Sequence, residues 1–448
     1  MKYLLFAAAA AGILPATLLL LCVRPWIRSF MLMLMLPLLA FDASAINFLS
    51  HELYRGTARG LEISVIHLAS VVLLLTFTIL RGWRNPVPDG GSRLYLIYFL
   101  ASLPSLLHAD SLLYSAFELW KMAMVYLVFL AVYRYLEYSR GDFDIVLSGA
   151  AAVVLIGFLV IVRQHVGGIH QARGVFPHQN SLAMFMMLTG TIFLARFFNR
   201  SEGGKTLFFL LVFGVASASL LRTYSRGAII CYPLGCGLTL LCSMRGGVSL
   251  YKRYKLALLA LCGMAGFLIF LPKLVERFEN APQSSGETRR NFAVAAFNMI
   301  RDAPLIGVGL NNWGIRINPP YSYSRHRDPL KGYSEDYKDG IVETIYLLVA
   351  AECGLPCLAA LLAWFGFYWI SAWRLLKTFR DSQYFYLASG ILGGLTGALL
   401  QSSLEWILKQ QINFLWLMIV FALISFCNTH GRQLLSMEQI RHGIGRRS

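Results

Sequence analysis

Lys273-Leu-Val-Glu-Arg-Phe-Glu279, Ser284-Ser-Gly-Glu-Thr-Arg-Arg290 and Pro304-Leu-Ile-Gly-Val-Gly-Leu-Asn-Asn-Trp313 all fall in Pro272–Glu343, the only long polar stretch of this chain. A basic, tyrosine-rich tract from Tyr321 to Tyr337 completes it, and apolar sequence resumes after Glu343. About 70 residues exceeds an ordinary connection, and loops of that length either serve a function or lack order. What lies on each side decides between these. Both flanks are hydrophobic, so the stretch reads as a lid or pocket wall on one face of a membrane.

The 448 residues are 57% hydrophobic and 14% charged, against about a quarter charged in a soluble domain. Mean hydropathy is +0.59. Apolar runs recur at 3–23, 29–48, 61–80, 92–106, 114–133, 145–162, 179–195, 206–221, 227–243 and 256–272, then at 341–370, 384–403 and 412–428. Such runs match the roughly 17–25 residues that cross a hydrocarbon core. The expected fold is an all-α polytopic transmembrane bundle of 12–13 spans with one large extracytoplasmic loop containing short helices. Its expected segments are N-terminal spans at 1–144, a core with arginine-bearing external loops at 145–272, the large loop at 273–340, C-terminal spans at 341–428 and a basic tail at 429–448. Lys2 with Leu4–Ala16 has the look of a signal peptide, but the apolar run continues to Val23 and reads as a retained span.

Net charge is +17, carried by short loops beside apolar runs. That placement fits anionic headgroups and the positive-inside rule rather than nucleic acid. Placing the tail with Arg432, Arg441, Arg446 and Arg447 in the cytoplasm puts Arg374/Lys377/Arg380, Arg245/Lys252, Arg196/Arg200, Arg134/Arg140 and Arg81/Arg84 there too. The loops at 163–178, 222–226, 273–340 and 404–411 then face outward. Arg173, Arg222, Arg226, Arg289 and Arg290 fall on that outer face, where orientation does not need them. A guanidinium fork matches phosphate oxygens; the other reading is pairing with headgroups or nearby acids. The eight cysteines lie in or beside apolar segments and read as packing residues.

Four motifs stand out. In Gln171-Ala-Arg-Gly-Val-Phe-Pro-His-Gln-Asn180, Pro177 signals a helix start with Asn180 as cap, an anion site beside Arg173. His165, His170 and His178 share this loop, but their spacing, with no acid between them, disfavours a metal. Arg222-Thr-Tyr-Ser-Arg-Gly-Ala228 is a tight hairpin whose arginines require water or an anion. Ser284-x-x-Glu287 has capping-box spacing, and Phe292, Ala296, Met299 and Ile300 recur at helical intervals to Pro304. Trp313, Tyr321, Tyr323, Tyr333 and Tyr337 offer faces for sugars or anchors at the interface. In Val342-Glu-Thr-Ile-Tyr-Leu-Leu-Val-Ala-Ala-Glu-Cys-Gly-Leu-Pro356, Glu343 stands at the membrane edge. Glu352, deeper, is either a functional acid or a local cap. No G-x-x-x-x-G-K-[ST] motif is present, so nothing points to nucleotide-driven transport.

Arg173-Gly-Val-Phe-Pro-His-Gln-Asn180, Ser225-Arg-Gly227, Arg289 leading to Pro304-Leu-Ile-Gly-Val-Gly309, and Tyr346-Leu347 with Glu352-x-Gly354 occur in the order seen in the O-antigen ligase and envelope polysaccharide polymerase family. The chain resembles that family from about 145 to 428. The resemblance implies a GT-C-like, metal-independent glycosyltransferase of a bacterial inner membrane, with its site facing the periplasm and no cofactor. It would move an undecaprenyl-pyrophosphate-linked glycan to an acceptor glycan or glycolipid, in lipopolysaccharide or exopolysaccharide synthesis. The resemblance assigns the pyrophosphate to Arg226 and Arg289, with Arg173; Arg222 and Arg290 are further basic residues on the same face. Ligases of the family carry His-Asn where this chain has Glu343-Thr344. Glutamate also accepts a hydroxyl proton, so Glu343 is the expected base, with His326 in reserve. His178, Asn180, His326, Trp313 and Tyr346 are the expected glycan contacts. The departure leaves polymerisation as open as ligation, and a flippase for lipid-linked oligosaccharides is the alternative function.

Overall fold

The computed structural model describes residues 2–39, 45–51, 54–169, 171–199, 203–245, 249–279, 283–318, 321, 323, 340–380 and 382–444. In chain order these form α1 (Lys2–Val23), α2 (Pro25–Leu39), β1 (Ala45–Ser50), β2 (Gly60–Ser64), α3 (Val65–Arg81), α4 (Gly90–Ser102), α5 (Leu112–Ser139), α6 (Phe143–Val166), α7 (Gln179–Phe197), α8 (Thr206–Leu221) and α9 (Arg226–Ser243). The remainder is α10 (Leu250–Glu279), α11 (Gln283–Asp302), α12 (Trp313–Arg316), α13 (Ile345–Thr378), α14 (Tyr384–Gln401) and α15 (Gln411–Ile444). Among the described residues eight helices have the length and apolarity to cross a membrane, and three shorter apolar helices accompany them. The chain is an all-α, multi-pass membrane bundle.

Three departures from the sequence reading have local causes. The run expected as a span at 29–48 is α2 followed by a strand: Ala45 pairs with Ser64, Ile46 with Ile63 and Asn47 with Glu62 in an antiparallel hairpin. Asn47 and Ser50 interrupt the apolar run there, so Ala45–Ser50 does not continue a helix through lipid. Second, the polar stretch after Pro272 does not begin there in space, because α10 continues unbroken to Glu279. Third, Ser284 is the second residue of α11 and so does not precede the helix as a cap would.

The chain divides into two compact units. The first comprises 1–153, 291–368 and 409–430. Its core is aromatic: Tyr368 stacks on Phe421 at 3.9 Å and Trp364 on Tyr98 at 5.9 Å. Tyr95 donates to the Met122 carbonyl (2.6 Å) and Tyr368 shares a hydrogen bond with Ser425 (3.0 Å), so each buried hydroxyl is satisfied. The second unit comprises 154–290, 369–408 and 431–448. Here α7 is the central rod, buried along nearly all of its length. Small residues let its neighbours approach. A Cβ added to Gly390 would meet Ile192 at 2.5 Å, and one on Gly235 would meet the Gly393 carbonyl at 2.7 Å. Helices α14, α7 and α9 therefore pack almost backbone to backbone.

Candidate active site

In the second unit the segment before α7 is built by its own side chains. The Gln164 amide, from the end of α6, brackets the turn: Oε1 accepts from Arg173 N (3.1 Å) and Gly174 N (2.9 Å), and Nε2 donates to the Gly174 carbonyl (2.8 Å). Gly174 has φ +58, a conformation side chains seldom adopt. The Arg173 side chain is left exposed. The expected cap moves by two residues. His178, extended at φ −144 and ψ 150, is the N-cap of α7, and its Nδ1 accepts from Asn180 N at 3.2 Å. Asn180 is thereby inside the helix, and its amide is free for another partner.

That partner is Glu405. Asn180 Nδ2 donates to Glu405 Oε1 at 2.8 Å, and the same oxygen lies 3.3 Å from Arg289 Nη2. One carboxylate, 8% exposed, thus joins the helix start at 180, the first half of α11 and the turn after α14. Arg290, one residue on, is exposed. The hairpin between α8 and α9 is as tight as expected. Tyr224 takes φ +50, and Thr223 Oγ1 accepts from Ser225 N at 3.1 Å, so Arg226 becomes the first residue of α9. Ala172 N donates to the Arg222 carbonyl at 3.2 Å, setting the Arg173 turn against this hairpin. The Arg222 guanidinium lies 3.2 Å from His165 Nδ1 and over the Phe270 ring. Gln401, one turn before Glu405, is fully buried and lies within van der Waals reach of a Cβ built on Gly227. Among the described residues its amide has no partner.

In the first unit the motif 304–313 and the start of α13 are one construction. Helix α13 breaks at Gly354 (φ 82, ψ 172), where a Cβ would sit 2.3 Å from the Leu305 carbonyl. The loop is laid across the break. Val308 N donates to the Ala351 carbonyl (2.9 Å), Gly309 N to the Glu352 carbonyl (3.0 Å) and Leu355 N to the Pro304 carbonyl (2.8 Å). Backbone groups freed by a broken helix need such partners at membrane depth. Glu352 is 1% exposed, and its Oε1 accepts from Trp313 N at 3.2 Å. Of the two readings open in the sequence, this geometry is that of a local cap.

Trp313 is fully buried. Its indole donates to the Gly340 carbonyl (2.9 Å) and its ring meets Phe292 edge to face, so it is a packing residue and not an open sugar platform. Asn311 (φ 54) accepts from Thr57 N at 2.8 Å and donates to the Ala58 and Tyr114 carbonyls. The Tyr54 hydroxyl donates to the Asn311 carbonyl, and burial pushes that phenol well above its usual range, keeping it a donor. Tyr321 donates to Asp110, whose other oxygen pairs with Arg316 at 2.6 Å; the hydrogen bond to that carboxylate raises the phenol. Glu343 and Tyr346 stand half-buried at the entry to α13. His170, His326, Tyr333 and Tyr337 lie outside the described residues, and no group of three metal-ligating side chains occurs among the described ones.

Sequence reading missed a buried ionic cluster in this unit. Glu118, with no exposure, lies 2.7 Å from Lys121 Nζ, 3.1 Å from Lys409 Nζ and 2.6 Å from Thr57 Oγ1. Burial opposes the charge on Lys409, but Glu118 together with Tyr98, Glu352 and Cys353 outweighs it and holds the ammonium pKa above its ordinary value. The Glu118-x-x-Lys121 spacing inside an apolar run was the available signal. Nothing marked Lys409 or Glu405 beyond their presence in a short turn.

Residues 208–362 match the family model described as O-antigen ligase. The match covers α8 to the first half of α13, and so includes Arg222, Arg226, Arg289 and Glu343. It supports a membrane glycosyltransferase of the ligase or polymerase type. No curated protein matches the chain.

Proposed function

We propose, from the match of residues 208–362 to the O-antigen ligase family model, that this chain transfers a glycan from an undecaprenyl-pyrophosphate carrier to a hydroxyl of an acceptor glycan or glycolipid. The observation that carries the reading is the junction at Glu405, which brings Asn180 and Arg289 together from segments more than 100 residues apart. Glu405 fixes the Arg289 guanidinium at this junction, and a guanidinium fork matches the oxygens of a phosphate. Arg226, at the first position of α9, adds a second guanidinium at a helix N-terminus, where the macrodipole favours negative charge. Arg173 is the third, exposed on its bracketed turn.

In this reading the acceptor oxygen attacks the anomeric carbon of the donor sugar. The new C–O bond forms as the bond from that carbon to the pyrophosphate oxygen breaks. The pyrophosphate leaves with the electron pair, and the arginines stabilise its growing charge. The hydroxyl proton passes to Glu343. No metal or nucleotide enters the scheme, and the site faces the periplasm of an inner membrane. Wherever the acceptor is itself a carrier-linked chain, the same step is polymerisation.

The test uses purified protein and a lipid-linked glycan. Arg289→Ala is expected to lower turnover about a hundredfold to a thousandfold, the usual loss when one transition-state donor is removed. Glu343→Gln should lower kcat with little change in donor affinity. Near-normal turnover in both variants would end the proposal.

A further inference from the structure

The first unit carries a second cationic site, unconnected with the residues assigned to transfer. A groove of about 100 Å³ lies between the end of α3 and the last turns of α5. Arg81, Arg84 and Arg134 line it, together with the apolar Leu74, Phe77 and Leu130. Glu137 is the only acid in its wall, so three guanidinium groups against one carboxylate leave two positive charges uncompensated.

Glu137 is already engaged. Its carboxylate pairs with Arg134 and lies 3.8 Å from His430 Nε2, and its carbonyl accepts from Arg81 at 3.1 Å. Arg81 and Arg28 lie over Tyr138 at 5.0 and 4.7 Å, which fixes the Arg81 guanidinium at the groove edge. Arg84 is exposed and makes no hydrogen bond or ion pair among the described residues. Trp83, 80% exposed, stands beside it. A tryptophan next to arginines at the end of an apolar helix marks the headgroup level of a membrane. The lipid-facing side of α3 continues from the groove as Leu75, Ile79 and Leu80, all exposed.

We infer that this groove binds the phosphodiester of an anionic phospholipid, with Arg81, Arg84 and Arg134 around the phosphate and the first acyl carbons against Leu74, Phe77 and Leu130. The volume admits a phosphate group and a few methylenes. The tails would then run down Leu75 and Ile79 in place of bulk lipid. The positive-inside placement of Arg81, Arg84 and Arg134 puts the site in the cytoplasmic leaflet, where anionic headgroups accumulate.

The experiment uses the full chain, delipidated in neutral detergent. Native mass spectrometry and thermal stability are read during titration with phosphatidylglycerol, phosphatidylcholine, and inorganic phosphate as the water-soluble source of the same anion. Phosphatidylglycerol should be retained and should raise Tm, while phosphatidylcholine and free phosphate should do neither. Arg84→Ala, which removes no hydrogen bond or ion pair among the described residues, should weaken phosphatidylglycerol about fivefold, the scale of one basic side chain at a lipid surface. Arg81→Ala should add a similar factor, and raising the salt should erase the preference. Equal retention of both lipids, or an Arg84→Ala protein that binds as wild type, would overturn the inference. Binding of inorganic phosphate as tightly as lipid would overturn it too, by making the groove a plain anion site.

Discussion

Replacing Glu118 by glutamine tests whether the buried cluster holds the first unit together. The change preserves shape and removes one charge. Two ammonium groups, 6% and 3% exposed, then lose the carboxylate that neutralises them at 2.7 and 3.1 Å. Breaking a buried pair by removing one partner costs about 3–5 kcal/mol, because the surviving charge stays desolvated. Unfolding entropy near 60 °C is about 2.1 cal/mol/K per residue, or about 0.9 kcal/mol/K for a chain of 448 residues unfolding as a whole. The expected fall in Tm is therefore about 3–5 °C, and roughly double that wherever the first unit melts alone. Heating in detergent at a fixed scan rate, followed by size-exclusion recovery, gives the comparison despite irreversible unfolding. The triple variant Glu118→Leu, Lys121→Met, Lys409→Met removes every charge together and should recover most of the loss. A Tm within about 1 °C of wild type for Glu118→Gln, or a triple variant less stable than the single one, would refute the reasoning.

Three further outcomes follow from the geometry. Gly354→Ala forces a side chain into φ 82, ψ 172 with its Cβ 2.3 Å from the Leu305 carbonyl. Strain there of about 1–3 kcal/mol before the clash is counted should abolish monodisperse protein, as read by size exclusion. Glu405→Gln keeps an acceptor for Asn180 but frees Arg289. It should lower kcat with the lipid-linked glycan roughly tenfold to a hundredfold while leaving Tm nearly unchanged. His178→Ala removes the cap of α7 at a cost of about 1 kcal/mol, and His178→Asn should restore it, a pair of thermal shifts that separates capping from any contact with substrate.

Much of the fold was legible because a run of about 20 apolar residues has few fates. The hairpin at Arg222–Arg226 could be read from its brevity alone. The β1–β2 hairpin could not, since Ala45-Ile-Asn-Phe-Leu-Ser50 borders an apolar run and its partner strand lies ten residues on. At the proposed site, the arginines stood out as positive charge in loops expected to face outward, but what holds Arg289 did not. Glu405 is one acid in a short turn, and only folding brings it to residue 180. The cap of α7 was misplaced by two residues because the backbone after Pro177 stays extended through His178, which a rule for preferred cap types does not anticipate. Glu352 shows the reverse. An acid within a span invites a catalytic role, yet here it closes the start of a four-residue helix.

The break at Gly354 turns the first nine residues of α13 into a lever with its pivot at the loop that clasps Ala351, Glu352 and Leu355. At 1.5 Å per residue the arm is about 13 Å long, and Glu343 rides just beyond its far end. A swing of about 5° at the pivot displaces that carboxylate by about 1 Å over such an arm, enough to slow a positioned proton transfer by about a hundredfold. Substitutions at Pro304, Gly307 or Val308, none of which touches a sugar or phosphate in the proposed reaction, therefore tune the rate from a distance through the angle of one short rod.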